Sequence, residues 1–325
     1  MHSYQQHLEF FNEKLSKEDL QGKPPELYEP ILYTMQLGGK RLRPVLLLMA
    51  CEVFGGKREE AIKTAMAFEV FHNFTLLHDD IMDKAPIRRG KASVYKKWNE
   101  NIAILSGDTM FAIAYRLLIK ASLEEKLQPM MELFTNTAIG VCEGQQLDMN
   151  FEKNRAELSD YMEMIRLKTA ILIASGMKAG AILGGADEKE MEMIYACGEN
   201  LGLAFQLKDD LLDVYADESK FGKKSGKDIE ENKKTYLYLK ALELAGAEDA
   251  EKLRKLYAGT GFRDFEDKVQ QTTAIFDKLN IRQKTTELIK EYSDKSLEIL
   301  DKLKVQDERK TELRNTIEKM LHRDH

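Results

Sequence analysis

The spacing of hydrophobic residues is helical along most of the chain. Apolar residues recur three and four positions apart, whereas alternating segments rich in Val, Ile and Thr and bounded by turn residues are scarce. The chain beyond Pro129 contains no further proline, the strongest breaker of helices. We therefore predict an all-α protein.

Two long helices are predicted individually. The first runs from about Glu59 to Asp83 and is stopped by Pro86; its apolar stripe consists of Ala61, Ala65, Phe68, Phe71 and Phe74. The second follows Asp187, which has the spacing of a capping box with Glu190, and continues to about Val214 or Tyr215. At 1.5 Å per residue the second helix is ~40 Å long, a length that suits a large helical bundle.

The sequence contains no Pro/Ser-rich linker and no low-complexity block, which favours one folded domain spanning residues 1–325. Hydrophobic residues make up 43% of the chain and charged residues 32%, so there is enough apolar material for a core, and global disorder is excluded. The formal net charge of −6 gives no general attraction to a nucleic acid or an anionic membrane. We expect no nucleic-acid partner, and any bound anion must be held locally.

Cysteine usage and the N-terminal segment indicate the compartment. Cys51, Cys142 and Cys197 are odd in number, far apart and without a CxxC or Cys/His spacing, so the sequence indicates neither a disulfide framework nor a zinc site. The first twenty residues lack the pattern of a signal peptide. No stretch of eighteen consecutive residues is apolar throughout and without a charged side chain. We expect a cytoplasmic protein without membrane spans.

The most informative motif is an acidic pattern that occurs twice. Leu77–Asp83 and Leu207–Asp213 both contain DDxxD. On a helix the first and fifth residues share one face, so the outer carboxylates repel each other unless a cation lies between them. Mg²⁺ prefers oxygen ligands and keeps positions for water and phosphate oxygens. One copy could be a solvated helix end, but two copies at the ends of apolar helices predict a divalent-metal site.

Two other metal sites were weighed against this one. The EF-hand is excluded by spacing, because its loop requires alternating ligands, a glycine at position six and a glutamate at position twelve. Glu69 and His72 match one half of a di-iron bundle site. Such a site needs two Glu-x-x-His copies and two further glutamates, and the sequence contains one copy.

Cationic motifs complement the acidic ones. Residues 38–44 read GGKRLRP, and Arg88 and Arg89 follow the first acidic motif. Arginine binds phosphate oxygens bidentately and lysine acts as a point charge. Each run alone is typical of a solvated patch, but together they predict a polyanion held by metal on one side and by cations on the other. Residues 217–235 carry six lysines and two glycines and could form either a mobile lid or an ordinary solvated loop.

In this order, the motifs resemble those of the trans-isoprenyl diphosphate synthases, also called polyprenyl synthetases. The matching segments are GGKRLRP, HDDIMD, RRG, KT, FQLKDD and GKKSGKDIEENKKT, within about Leu32 to Leu239. The resemblance implies an isoprenoid-synthase helical bundle around a deep central cavity, usually as a homodimer. It also implies head-to-tail prenyl transfer, in which isopentenyl diphosphate condenses with an allylic diphosphate to give a short all-trans product.

The resemblance also implies roles for single residues. Three Mg²⁺ ions would be bound with the allylic diphosphate, and the carboxylates that hold or support them would be Asp79, Asp80, Asp83, Asp209 and Asp213. The allylic diphosphate would contact Arg88, Lys168, Lys223 and Lys233. Isopentenyl diphosphate would be held without metal by Lys40, Arg43, His72 and Arg89. Each position also has an ordinary structural interpretation, such as a partly buried histidine at His72.

The chemistry gives further residues a reason to be present. Cations around the diphosphate stabilise the charge that develops on it as the allylic C–O bond breaks. The resemblance assigns stabilisation of the allylic cation to the Thr169 hydroxyl, the Gln206 side-chain carbonyl and the Lys168 main chain. Closure of the lysine-rich segment over the diphosphate would exclude water.

Product length should depend on side chains before the first acidic motif. Phe74, Phe71 and Phe68 lie five, eight and eleven residues before Asp79, which places their rings roughly 7, 12 and 16 Å along the helix. Thr75 is small. This pattern resembles short-chain synthases that make C20 more than those that stop at C15, so we expect a C15–C20 product with C20 favoured. The phenylalanines could instead be ordinary core.

Other functions compete with this one. A terpene cyclase or a head-to-head prenyl synthase also ionises allylic diphosphates, but it needs no isopentenyl diphosphate site. GGKRLRP and Arg89 indicate such a site here and therefore favour chain elongation. A farnesyl (C15) or longer product is an alternative within the same family. A non-catalytic subunit is disfavoured because both DDxxD motifs are intact. A purely structural helical protein would be distinguished from an enzyme by a product assay with and without EDTA.

Overall fold

The computed structural model describes residues 1–121, 124–154, 156–216 and 226–321. Within them the structure is helical, which confirms the predicted all-α class. Up to residue 153 the helices are α1 Tyr4–Ser16, α2 Pro25–Gln36, α3 Leu42–Val53, α4 Arg58–Met82, α5 Val94–Lys97, α6 Glu100–Ile119 and α7 Leu127–Lys153. A 3₁₀ turn, Glu124–Lys126, precedes α7, and a hairpin of β1 Ile87–Arg88 and β2 Lys91–Ala92 lies between α4 and α5.

The second half of the chain begins with an irregular helix. α8 Leu158–Ile165 passes through a π-helical turn at Arg166–Ala170 into α9 Ile171–Gly184. The later helices are α10 Glu188–Tyr215, α11 Lys227–Glu230, α12 Tyr236–Leu244, α13 Ala247–Tyr257, α14 Phe265–Lys278, α15 Ile281–Asp301 and α16 Asp307–Leu321. The two helices predicted individually are α4 and α10, with ends within one or two residues of the predicted positions. Asp187 caps α10 by accepting a hydrogen bond from the Glu190 amide at 2.8 Å.

Two compact units divide the chain. The first contains Met1–Thr135, Ser175–Ile194 and Lys304–Leu313, and the second contains Asn136–Ala174, Tyr195–Leu303 and Arg314–His325. The prediction of one domain over residues 1–325 stays a prediction. The first unit carries the GGKRLRP, HDDIMD and RRG motifs, and the second carries Lys168, Thr169 and the second acidic motif.

The core of the first unit is built around α3, which is buried on nearly every side. Glycines let α9 approach it closely: a Cβ on Gly180 would lie 2.2 Å from the Leu47 carbonyl oxygen, and one on Gly184 would lie 2.7 Å from that of Cys51. From the predicted stripe of α4, Ala61, Ala65, Phe68 and Phe71 are fully buried, whereas Phe74 is half-buried. The stripe therefore serves mainly as core, and its end at Phe74 is accessible.

The core of the second unit lies between α10 and the later helices. Leu207 and Leu211 of α10 belong to one buried cluster with Tyr161, Leu237 and Phe276. These apolar residues alternate along α10 with the polar ones of the second acidic motif. The core therefore fixes the rotation of α10 about its axis, and with it the direction in which Asp209, Asp210 and Asp213 point.

Two helical stretches, Glu100–Ile119 and Leu158–Gly184, are long and apolar enough to cross a membrane by length and composition. Within the protein, 44% and 78% of their most apolar windows are buried. Buried core helices have the same length and composition, so neither stretch by itself indicates a membrane span.

Candidate active site

The first acidic motif lies at the C-terminal end of α4. Asp79 and Asp80 are in its last turn, and Asp83 is its C-cap. A helix C-terminus carries a partial negative charge, which disfavours each nearby carboxylate by about 0.3–1 kcal/mol. Asp83 is exposed and Asp79 half-buried, so both can reach a solvated cation. This arrangement of hard oxygen donors fits Mg²⁺.

Asp80 differs from its neighbours because it is buried and paired with Arg88. The Arg88 guanidinium donates to both carboxylate oxygens through Nε, at 3.0 and 3.2 Å, and through Nη2 at 2.5 Å. The β1–β2 hairpin positions Arg88: its two turn residues, Arg89 and Gly90, have φ of 51° and 77°, as a type I′ turn requires. The sequence analysis did not predict this hairpin.

Three of the residues that the resemblance assigns to isopentenyl diphosphate lie near one another in the first unit: Arg43, His72 and Arg89. His72 Nε2 accepts a hydrogen bond from Arg43 Nη1 at 3.1 Å. Burial lowers the pKa of His72 well below its usual value, and the charges of Arg43 and Arg89 add to this effect. His72 is therefore neutral near pH 7 and acts as an acceptor that orients Arg43.

The two glycines before Lys40 shape the backbone for an arginine. Gly38 and Gly39 have φ of 77° and 122°, and the Gly38 carbonyl accepts a hydrogen bond from Arg89. A Cβ on Gly39 would lie 2.8 Å from Cζ of Arg89. A side chain at residue 39 would thus be strained and would displace the Arg89 guanidinium. Lys40 is exposed, with its carbonyl accepting a hydrogen bond from the Tyr4 hydroxyl at its side.

Arg41, the remaining cation of GGKRLRP, is buried and has a structural partner. It pairs with Glu69 and donates to the Met35 carbonyl. Glu69 and His72 therefore each contact an arginine. These contacts argue against the di-iron interpretation of Glu69 and His72.

Aromatic rings from two helices surround the residues expected to set product length. Phe74 lies 5.5 Å from Phe71, 5.3 Å from Phe111 and 4.7 Å from His78, measured between ring centroids. Phe111 belongs to α6 and was not predicted. Thr75 donates its hydroxyl to the His72 carbonyl at 2.8 Å. Because Phe71 is fully buried and Phe74 is not, Phe74 is the ring that an apolar chain can contact.

A chain of hydrogen bonds connects the second acidic motif to Thr169. The Thr169 hydroxyl donates to Gln206 Oε1 at 3.0 Å, and Gln206 Nε2 donates to Asp210 Oδ1 at 2.9 Å. The Tyr161 hydroxyl donates to the other oxygen of Asp210. Burial, and next the charge of Asp228, raise the pKa of Asp210 to about 7. Asp210 therefore orients Gln206, while Asp209 is exposed.

Asp213 is linked to a carboxylate that the sequence analysis missed. Asp213 Oδ2 accepts a hydrogen bond from the Asp228 amide at 2.9 Å, and Lys233 Nζ lies 3.6 Å from Asp228 Oδ1. Burial raises the pKa of Asp228 to about 6, with the Asp213 charge as the next cause. The signal was present in the sequence, because Asp228 lies between the lysines of GKDIEENKK.

Lys168 and Thr169 lie on the π-helical turn, beside a cavity of about 130 Å³. The cavity is lined by residues of the second unit that include Asp148, Tyr161, Lys168, Thr169, Gln206, Asp210, Asp228 and Lys233. Lys168 Nζ is 2.6 Å from Asp148 Oδ2, a second carboxylate that was not predicted. Single π-helical turns inside α-helices are frequently found at functional sites.

Two glycines allow neighbouring helices to touch the backbone of this turn. A Cβ on Gly144 of α7 would lie 2.4 Å from the Lys168 amide nitrogen, and one on Gly202 of α10 would lie 2.5 Å from Cα of Ala170. Neither position can take a side chain without moving the turn. The glycines therefore fix the backbone that carries Lys168 and Thr169.

A buried lysine holds the segment after α11. Lys268 of α14 donates to the Ile229 carbonyl and, at 2.6 Å, to Oδ1 of Asn232. Lys234 donates to the carbonyls of Phe151 and Asn154. The described part of the lysine-rich segment is thus held by hydrogen bonds on both sides of Lys233 in the sequence. Lys223, and the rest of residues 217–225, lie outside the described residues.

Comparison with known proteins identifies the family. Residues 24–276 match the family model of polyprenyl synthetases. A geranylgeranyl diphosphate synthase of Methanosarcina mazei is 42% identical over 68% of this chain and 69% of its own length. A geranylfarnesyl diphosphate synthase of Natronomonas pharaonis is 38% identical over 72% of this chain and 74% of its own length.

Solved structures agree with the sequence matches. A crystal structure of a geranylgeranyl pyrophosphate synthase is 42% identical and superposes with a TM-score of 0.93 over 99% of both chains. A polyprenyl synthase of Caulobacter crescentus, solved with calcium and isoprenyl diphosphate, is 28% identical, with a TM-score of 0.86 over 99% of this chain and 96% of its own. The chain belongs to the polyprenyl synthetase family and is a trans-prenyltransferase.

Proposed function

We propose that this enzyme condenses isopentenyl diphosphate head-to-tail with allylic diphosphates and releases geranylgeranyl diphosphate (C20) as its main product. The observation that carries the proposal is the hydrogen-bonded sequence from Thr169 through Gln206 to Asp210, beside Lys168. It presents a hydroxyl and an amide oxygen, dipoles that can face an allylic cation, next to a lysine that can face a diphosphate. The C20 product is supported by the names of several relatives.

The proposed metal ligands are those that the polyprenyl synthetase motifs imply. Asp79, Asp83 and Asp209 would hold three Mg²⁺ ions, with Asp80 and Asp213 as supports. Bound Mg²⁺ would supply positive charge to the departing diphosphate. Arg88, Lys168, Lys223 and Lys233 would contact the same diphosphate. The Caulobacter relative, solved with calcium and isoprenyl diphosphate, supports the binding of a divalent metal and an isoprenyl diphosphate, though not the individual ligands.

The chain's own residues would divide the remaining work. Lys40, Arg43 and Arg89 would bind isopentenyl diphosphate, with His72 orienting Arg43. Since His72 is neutral, it adds no charge that would repel the guanidinium. The double bond of isopentenyl diphosphate would then attack the allylic cation, and the departing diphosphate would take up the released proton. We propose that the enzyme is a cytoplasmic homodimer.

A product assay tests the proposal. The purified protein is incubated with Mg²⁺, labelled isopentenyl diphosphate and the C5, C10 or C15 primer, and the dephosphorylated alcohols are separated by chromatography. We expect a C20 alcohol from each primer and none with EDTA. Consumption of a primer without isopentenyl diphosphate would instead indicate a cyclase, and a C15 end product would refute only the chain length.

A matched pair of variants tests the role of the Thr169 hydroxyl. Thr169→Val keeps the shape and removes the donor to Gln206, so we expect kcat to fall at least about tenfold. Thr286→Val removes an exposed hydroxyl that bonds only within α15. The Thr286 variant should keep wild-type kcat. Equal kcat values for the two variants would contradict the role of Thr169.

A further inference from the structure

Three metal-ligating side chains meet in the first unit, far along the sequence from the acidic motifs. His2 precedes α1, His7 lies within α1, and Glu52 belongs to α3. Their ligand atoms all lie within 4.8 Å of one another. His2 Nδ1 is 2.6 Å from Glu52 Oε1, and His7 Nε2 is 3.3 Å from Glu52 Oε2. The prenyl-transfer site uses none of these residues.

The state of His7 points to a missing ligand. Its side chain is fully buried, and among the described residues neither ring nitrogen makes a hydrogen bond of acceptable geometry. Nε2 faces Glu52 at a distance slightly longer than most hydrogen bonds. Buried polar groups without partners are rare, and leaving one unsatisfied costs about 1–3 kcal/mol. A metal ion between His7 Nε2 and Glu52 would give one of the two unpartnered ring nitrogens a ligand bond.

The donor set selects the kind of metal. Two imidazoles and one carboxylate are typical ligands of Zn²⁺, whereas Mg²⁺ prefers oxygen alone. Tetrahedral bonds of about 2.0–2.1 Å place neighbouring ligand atoms about 3.4 Å apart. The 3.3 Å between His7 and Glu52 is close to this separation, so a metal would require little movement there. The fourth position would be left for water.

We infer that His2, His7 and Glu52 form a zinc site that fastens α1 to α3. The zinc site would affect the GGKRLRP segment only by positioning it. Tyr4, two residues after His2, donates its hydroxyl to the carbonyl of Lys40. A metal that fixes the start of α1 therefore also fixes a contact of the GGKRLRP segment.

Zinc binding to the full-length protein tests this inference. Chelator-treated, dialysed protein is titrated with ZnCl₂ in millimolar MgCl₂, which occupies the acidic motifs, and the retained zinc and the unfolding temperature are measured. We expect one tightly retained zinc per chain and a higher unfolding temperature, because a ligand of the folded state stabilises it. His2→Gln and Glu52→Gln should both lose this zinc.

Two further variants control for folding and for general loss of charge. Glu13→Gln removes an exposed carboxylate from the same helix and should keep the zinc. His2→Cys should also keep it, because a thiolate is a strong zinc ligand. The His2 side chain is 43% exposed, so substitutions there should not prevent folding, whereas a substitution of the buried His7 could. Zinc retained by both His2→Gln and Glu52→Gln, or none bound by the wild type, would overturn the site.

Discussion

Asp80, a buried carboxylate in the first acidic motif, is held on both of its oxygens by the guanidinium of Arg88. The acidic motif and the arginine motif are thus one structural unit before any substrate binds. A carboxylate held in this way is fixed in position and presents less charge to a metal than Asp79 or Asp83. We therefore expect Asp80 to act chiefly by positioning Arg88.

Removing Arg88 should destabilise the protein as well as the site. Arg88→Leu leaves the buried Asp80 carboxylate unpaired, so the free energy of unfolding should fall by about 2–3 kcal/mol, measured with urea. Adding Asp80→Asn to Arg88→Leu should restore part of this loss, because the uncompensated charge is then gone. If the double variant is no more stable than Arg88→Leu alone, the ion pair does not carry the effect.

His72 should make stability depend on pH. The unfolded chain takes up a proton on His72 near pH 6.5, whereas the folded chain, with its lowered pKa, does so only at lower pH. Stability should therefore fall as pH drops below about 6.5, by at most about 1.4 kcal/mol per pH unit. Urea unfolding from pH 7.5 to 5.5 should show the wild type losing stability relative to His72→Gln. A constant difference across that range would contradict the prediction.

The two glycines beside the π-turn should be essential for catalysis. Gly144→Ala or Gly202→Ala places a methyl group against backbone atoms. Each substitution should lower the free energy of unfolding by about 1–3 kcal/mol and shift Lys168 and Thr169. We expect kcat to fall at least about tenfold. Gly246→Ala is the control, because a Cβ there meets no atom within 4 Å. Wild-type kcat in the Gly144 and Gly202 variants would show that the turn tolerates movement.

Lys268 should position the segment that carries Asp228 and Lys233. Lys268→Met keeps most of the side-chain volume but leaves the Ile229 carbonyl without its donor. We therefore expect the free energy of unfolding to fall by about 1–3 kcal/mol and the KM for the allylic primer to rise. Lys278→Met, on the same helix, removes only a surface ion pair with Asp249 and should change neither quantity appreciably. An unchanged KM in Lys268→Met would limit the residue to a structural role.

Phe74 should limit product length. Phe74→Ala opens space next to Phe111, so we expect alcohols longer than C20 in the product assay. Phe10→Ala removes a ring that packs under Arg58 instead and should leave the product unchanged. The assignment of Phe74 as the limiting ring would fail if both variants made the same alcohol as the wild type.

The elements that could be predicted from sequence are those set by local pattern. Pattern and capping signals were sufficient for α4 and α10, because Asp187 caps α10 and the phenylalanines of α4 repeat at helical spacing. The two acidic motifs were visible because their residues are adjacent in the chain. The predicted roles of the individual site residues stay predictions.

Contacts between distant parts of the chain could not be predicted. Asp148 meets Lys168 across 20 residues, and Lys268 meets Ile229 across 39, with no local signal at either lysine. His2 and Glu52 are 50 residues apart, so no local motif brings them together. The type I′ hairpin was missed because a two-residue strand is too short to show an alternating pattern.

The widened turn at Arg166–Ala170 accommodates one more residue than a regular α-helical turn, so the chain from Ile171 onward is rotated by about 100° relative to an uninterrupted α-helix of the same sequence. Deleting one residue of this turn would therefore be expected to restore a regular helix and rotate everything that follows, even if Lys168 and Thr169 both remained in the sequence. Alignments that treat this stretch as an ordinary helix would shift the register of all that follows.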